Sequence, residues 1–184
     1  MKLTRPDLDP AVEFTHPNVW QREQHPGWSR LRIGAREREI ALILQLCQDF
    51  RGPFSVLYVL LASGRGRERA RYRSQAAVGF EVLELFLYTF QEFFEQDGRH
   101  HLWVMAKSGE GQLAFDQHNI LYAYGDLPRY EDRLEAAGFR PGPVETPTPH
   151  EHHCHARFDP KEDEIVAYWD WVQLPLQSTD DDGH

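Results

Sequence analysis

Phe54 to Ala62 is a run rich in β-branched and aromatic residues, and its stretch Val56 to Ala62 is the longest uninterrupted apolar segment of the chain. It is far shorter than the roughly 20 residues a membrane helix requires. Nothing in it alternates with polar residues, so it predicts a strand buried on both faces. Such a strand belongs to the interior of a sheet, and the rest of the sequence has to supply its neighbours and its cover.

The neighbours are marked by turn chemistry. Ser63-Gly64-Arg65-Gly66 predicts a turn, with residues 67–74 returning as the second strand of a hairpin. Three further strands are predicted at His101–Lys107, Gln112–Phe115 and Ile120–Tyr124, separated by Ser108-Gly109-Glu110-Gly111 and Asp116-Gln117-His118-Asn119. The cover is helical. Ile40, Leu44 and Cys47 keep helical spacing within residues 35–50, and Gly52-Pro53 stops that helix. Residues 79–96 form the strongest helical pattern, apolar over most of its circumference through Phe80, Val82, Leu83, Phe86, Leu87, Phe90, Phe93 and Phe94, which predicts a helix largely inside the protein. Asp126, with Pro128 in the first turn and Gly138 as the stop, frames a helix ending at Ala137. Asp159-Pro160-Lys161-Glu162 has the pattern of a capping box, opening a helix with Ile165, Trp169 and Val172 on its apolar side.

The predicted fold class is therefore α+β: a mostly antiparallel sheet of about five to six strands backed by three to four helices. Residues 1–34, with Pro6, Pro10, Pro17 and Pro26 and no sustained period, are expected as an irregular arm pinned by Trp20 and Trp28. Residues 35–177 are expected as one domain, and residues 178–184 as a disordered acidic tail. The first residues lack the apolar run of a signal peptide, which makes a cytoplasmic protein the expectation. Two cysteines, Cys47 and Cys154, are too few for a disulfide framework.

Net charge at pH 7 is −9, unevenly spread: residues 1–74 carry +5 and residues 75–184 carry −14. An acidic chain is poorly suited to binding nucleic acid through its phosphates, and better suited to a basic protein partner. Two surfaces follow. Glu81, Glu84, Glu92 and Glu95, with Tyr88 between them, fall on one side of the 79–96 helix and form the expected partner-binding stripe. Arg65, Arg67, Arg69, Arg71 and Arg73 alternate strictly, which on a strand projects five guanidinium groups from one face and reads as a charged edge that resists aggregation.

The densest chemistry lies in His150-Glu151-His152-His153-Cys154-His155, which holds four of ten histidines. On a strand, His150, His152 and Cys154 share one face and His153 and His155 the other. The first face leads to Ala156 and Phe158, which points it towards the core and leaves His153 and His155 outward. Two imidazoles are not a zinc site, since catalytic zinc takes three protein ligands and water. His118, in a polar turn beside Asp116, is the expected third ligand, Asp116 orienting its ring; His100 and His101 are the next choice. No H-E-x-x-H, C-x-x-C pair or G-x-S-x-G is present. The sequence thus favours a small acidic protein-interaction module, immunity- or adaptor-like, with no assembled catalytic motif and no cofactor. The alternative is a zinc-dependent hydrolase using His118, His153 and His155.

Overall fold

The computed structural model describes residues 2–7 and 12–181. In chain order its elements are Leu3–Arg5 (β1), Val12–Glu13 (β2), Val19–His25 (β3), Trp28–Gly34 (β4), Glu39–Cys47 (α1), Phe54–Leu60 (β5), Ala70–Ser74 (β6), Phe80–Thr89 (α2), Gln91–Gln96 (α3), His100–Ala106 (β7), Gly111–Phe115 (β8), Ile120–Gly125 (β9), Leu127–Ala136 (α4), Arg140–Pro141 (β10), Glu151–His152 (β11), Asp159–Tyr168 (α5), Trp171–Leu174 (β12) and Ser178–Asp181 (α6). The class is α+β, with more strands and helices than the sequence predicts.

Nine strands form one sheet in the order β10-β3-β4-β9-β8-β7-β5-β6-β12; every pairing is antiparallel except β10 with β3. β5 lies inside it with all its residues buried. Val56, Tyr58 and Leu60 face the main core, which gathers Ile40 and Ile43 from α1, Leu83, Phe86 and Leu87 from α2, Phe93 and Phe94 from α3, Leu134 from α4 and Ile165 from α5. The opposite sheet face carries a smaller apolar cluster, Ala114, Ile120, Tyr122 and Val144. A second, three-stranded sheet, β11-β1-β2, is also antiparallel. No helix among the described residues is long and apolar enough to cross a membrane.

Several local expectations change. Residues 1–34 are not irregular throughout: β3 and β4 pair from Val19↔Gly34 to His25↔Trp28 across a turn with Gly27 at φ 87°. Trp20 packs on the main core, whereas Trp28 is exposed and stacks on His25 at 4.0 Å. The 79–96 helix breaks at Phe90 (φ −111°, ψ 13°), where α2 ends and α3 begins. Val82 is exposed, so the apolar surface is not all inward. β6 is not an edge, because β12 pairs along it. Arg65 and Arg67 lie before β6 and bind Asp163 of α5 at 3.2 and 2.7 Å. The strand β12 includes Val172, which was expected on a helix; pairing with β6 decides its conformation. In the expected capping box, helix α5 begins without a side-chain cap, and Asp159 and Glu162 bind Arg99 instead. The expected tail forms α6 over Ser178–Asp181, with buried Asp180 accepting from the Gln177 amide; residues 182–184 lie outside the described residues.

Candidate metal centre

The turn between β8 and β9 is built around one carboxylate. Asp116 Oδ1 accepts from the amides of His118 (2.8 Å) and Ile120 (3.0 Å), which closes the turn, while Asn119 takes a positive φ of 58°. Asp116 Oδ2 lies 3.0 Å from His118 Nδ1. A carboxylate only accepts, so Nδ1 carries the proton and Nε2 of the neutral ring keeps its lone pair. Burial by itself raises the Asp116 carboxyl, but the hydrogen bonds from His118 and from the Ile120 amide hold it well below the usual carboxylate range. The turn is tied down from behind, His16 Nε2 donating to His118 O at 2.9 Å. Gly34 leaves room for that ring: a Cβ there would fall 2.8 Å from His16 Cβ.

The second half comes from residues 150–155, a strap clamped on both sides. On one side β11 pairs with β1 in the register Leu3↔His152, and the His153 amide donates to Lys2 O at 2.9 Å. On the other, the Gly98 amide donates to His153 O (2.9 Å), the His155 amide to Asp97 Oδ2 (2.8 Å) and Arg99 Nη2 to His155 O (3.0 Å). Gly98 passes close beneath, since a Cβ there would lie 3.1 Å from His152 Cβ.

The strap delivers His150 and His152 to His118. Ring centroids are 5.1 Å apart for His118–His150, 4.7 Å for His118–His152 and 5.0 Å for His150–His152. One nitrogen of each ring lies within 4.8 Å of the other two, and all three residues are half-buried. His150 Nδ1 lies 2.7 Å from Pro147 O, so by the same reasoning it donates and leaves Nε2 as the basic nitrogen. Burial, with the neighbouring His118 and His150 rings, pushes His152 down to about 4. A neutral imidazole among imidazoles is the protonation state a metal ligand requires. Beside the cluster, Lys2 is fully buried, donating to Phe94 O (3.1 Å) and Asp116 O (3.0 Å); burial pushes its ammonium down to about 8.

Of the three ligands expected from the sequence, the structure brings only His118 to this cluster. His153 Nε2 is bonded to Thr4 Oγ1 at 2.7 Å, and its ring pairs with His155 at 6.3 Å. The strap pairs with β1 and lays His150 and His152 against the β8–β9 turn, the inward side expected for them, but His153 and His155 are half-buried rather than outward and Cys154, expected inward, is exposed. His100 and His101 are fully buried within β7 and are not among the three converging histidines. Of the expected partner-binding residues, Glu81, Tyr88 and Glu92 are exposed and Glu84 is half-buried. Glu95 is committed inward, accepting from the Ile40 amide at 3.0 Å and from Gln91.

A cleft of about 490 Å³ is lined by residues that include Thr15, His16, Glu145, Thr146 and Pro147, and by none of the three histidines. It shares His16 with the support of His118 and Pro147 with that of His150. Compared with protein-family models, curated proteins and solved structures, the chain finds no match in any of the three.

Proposed function

We propose that the protein binds a zinc-type divalent cation through His118, His150 and His152, and that this centre is hydrolytic. The observation that carries the reading is the convergence of three imidazole nitrogens, two of them with tautomers set by a carboxylate and a carbonyl. Three histidines from two separate segments, with a buried carboxylate behind one, match the donor set of zinc centres that keep a fourth position for water. Zinc–nitrogen bonds of about 2.0–2.1 Å place tetrahedral ligands roughly 3.3 Å apart, so loading draws the rings together by on the order of an ångström. A divalent ion there would be held by His118, His150 and His152, and with three neutral ligands it would keep its full charge and would activate water as a nucleophile. This reading takes the enzyme alternative over the interaction module, with His150 and His152 replacing His153 and His155.

The test is elemental analysis and zinc titration of untagged protein, never exposed to nickel, in the parent and in single His→Ala variants. About one zinc per chain is expected, lost in H118A, H150A and H152A and retained in H153A and H155A. Cleavage of an activated ester that needs the metal and follows the same pattern supports the hydrolytic part. Less than about 0.1 metal per chain after incubation with zinc, or equal loss in all five variants, overturns it.

A further inference from the structure

The outer face of α2 belongs to nothing the metal centre uses. Val82, Leu85 and Tyr88, at three-residue spacing, are 45%, 62% and 49% exposed, and they make up most of the large apolar side chains exposed among the described residues. Leu83, Phe86 and Leu87 of the same helix are buried, so packing on the sheet accounts for the inner side only. Apolar residues gathered on one exposed face mark an interaction surface more often than scattered ones do.

The segment's own charge is of one sign. Residues 75–98 contain no Lys, Arg or His, while Glu81, Glu84, Glu92 and Glu95 all fall within them. Glu81 and Glu84 interleave with the apolar residues. Beyond the end of α2, a shallow groove is lined by Tyr88, Thr89, Gln91, Glu92, Glu95 and Gln96. The chain already seats one guanidinium at its rim: Arg157 reaches Glu92 at 3.2 Å and Gln96 at 2.6 Å.

We infer that this face docks a cationic amphipathic segment of another protein, whose apolar side chains cover Val82, Leu85 and Tyr88 and whose Lys or Arg side chains meet Glu81, Glu84 and the groove. A tyrosine flanked by aliphatic side chains suits the anchor of such a contact, and the acidic border selects the sign of the partner. A second copy of this chain fits poorly, because a symmetric contact would bring the two glutamate sets together with only Arg157, already paired with Glu92, as a base at the rim. A cationic helix laid in an apolar groove is a recurrent recognition mode, read as anchors at helical spacing. The inference does not depend on the metal centre.

The experiment uses the full chain and a synthetic peptide with Leu and Lys at amphipathic helical spacing, set against its Leu–Glu counterpart. Saturable binding of the Leu–Lys peptide at one per chain is expected, with none for the Leu–Glu peptide. Leu85→Ser and the double change Glu81→Lys with Glu84→Lys should each weaken binding about tenfold. All the altered side chains are exposed or half-buried, and thermal melts confirm that the variants fold. Absence of saturable binding overturns the inference. So does binding that follows the charge reversal while ignoring Leu85→Ser, since charge alone would then explain it. Concentration-dependent dimerisation abolished by Leu85→Ser would assign the face to a second copy and overturn it as well.

Discussion

Arg99 holds the histidine strap through a buried ionic network, and replacing it should be costly in a specific way. Its side chain is 1% exposed and makes five hydrogen bonds: Nε to Asp97 Oδ1 (2.7 Å), Nη2 to Asp97 Oδ2 (3.2 Å), Nη1 to Asp159 Oδ1 (2.9 Å), Nη1 to Glu162 Oε2 (3.2 Å) and Nη2 to His155 O (3.0 Å). Asp97 and Glu162 have no exposed side-chain surface. Gly64 belongs to the same construction, for a Cβ there would fall 2.1 Å from Asp159 Oδ1. Arg99→Met keeps much of the volume and removes the cation, leaving Glu162 with Arg67 at 3.8 Å and Asp97 with the buried Lys2 as the remaining compensating charges. Stranding buried charge in this way costs about 3–5 kcal/mol. Against a total stability of about 5–15 kcal/mol, that lowers Tm by roughly 6–20 °C for a chain of this size.

The comparison is Arg22→Met. Arg22 also grips a carboxylate with two bonds, to Glu131 at 2.9 and 2.8 Å, but Arg22 and Glu131 are 38% and 20% exposed. Water compensates there, and the loss should stay within about 1 kcal/mol. Urea denaturation of both variants measures the difference, and zinc titration of Arg99→Met measures the strap. Loss of the bond to His155 O should weaken zinc about tenfold, through positioning alone. If Arg99→Met and Arg22→Met cost the same, burial of the network is not what sets its energy. If stability falls while zinc affinity stays, pairing with β1 positions the strap without help from Arg99.

Three further expectations are independent of that one. Asp116→Asn keeps an acceptor for the two turn amides but loses the anion behind His118, so zinc affinity should fall about 10–100-fold; a competition titration against a chromophoric chelator checks it, and an unchanged affinity removes the orienting role. Burial, with the Glu95 carboxylate nearby, pushes Glu39 up to about 7 from an ordinary 4.5. The folded state therefore binds that proton more tightly than the unfolded chain, and stability is full below about pH 4.5 and declines as pH rises through 7. Glu39→Gln should gain most at pH 8, at most on the order of 3 kcal/mol, and almost nothing at pH 4; equal effects at both pH values in urea melts would refute the assignment. Burial pushes the Cys47 thiol up to about 12, whereas Cys154 is exposed. A thiol reagent at pH 8 should label one cysteine in the folded chain and the second only on unfolding, and rapid labelling of both would place Cys47 outside the core.

What was legible in the sequence is what local chemistry determines. β5 announces itself through an unbroken apolar run, β7 to β9 through their turn residues, and α4 through Asp126, whose side chain accepts from the Arg129 amide at 3.3 Å. The elements that were missed are decided by pairing. β3 lies one strand from the sheet edge and has no fully buried residue, so it shows no apolar alternation to read. Residues 165, 169 and 172 keep helical spacing, yet β12, residues 171–174, extends because β6 offers it hydrogen bonds. The carboxylates of Asp159 and Glu162 have the spacing of a cap, but Arg99 is a stronger partner than a backbone amide.

The centre separates these two kinds of information sharply. Strand parity placed His150 with His152 and His153 with His155, and those pairings are what the structure contains. Parity is a property of the local backbone. Which pair meets His118 is a property of the surface the strap lies on, and that depends on contacts with residues about 50 to 150 positions away: Lys2 just before β1 and Leu3 in it, and Asp97, Gly98 and Arg99 before β7. Reading Phe158 as a continuation of the strand turned the face inward, whereas the chain leaves the strand after His152 and buries Phe158 from a 3-10 turn. The signal that favoured His150 was its place beside Pro147-Thr148-Pro149, a rigid approach whose Pro147 carbonyl fixes the ring. On this proposal, substituting His153 or His155 tests the fold, and substituting His150 or His152 tests the chemistry. Thr4→Val, which removes the hydroxyl beside His153 Nε2, should lower stability by about 1 kcal/mol and leave zinc affinity untouched; a variant that lost zinc instead would return the site to His153.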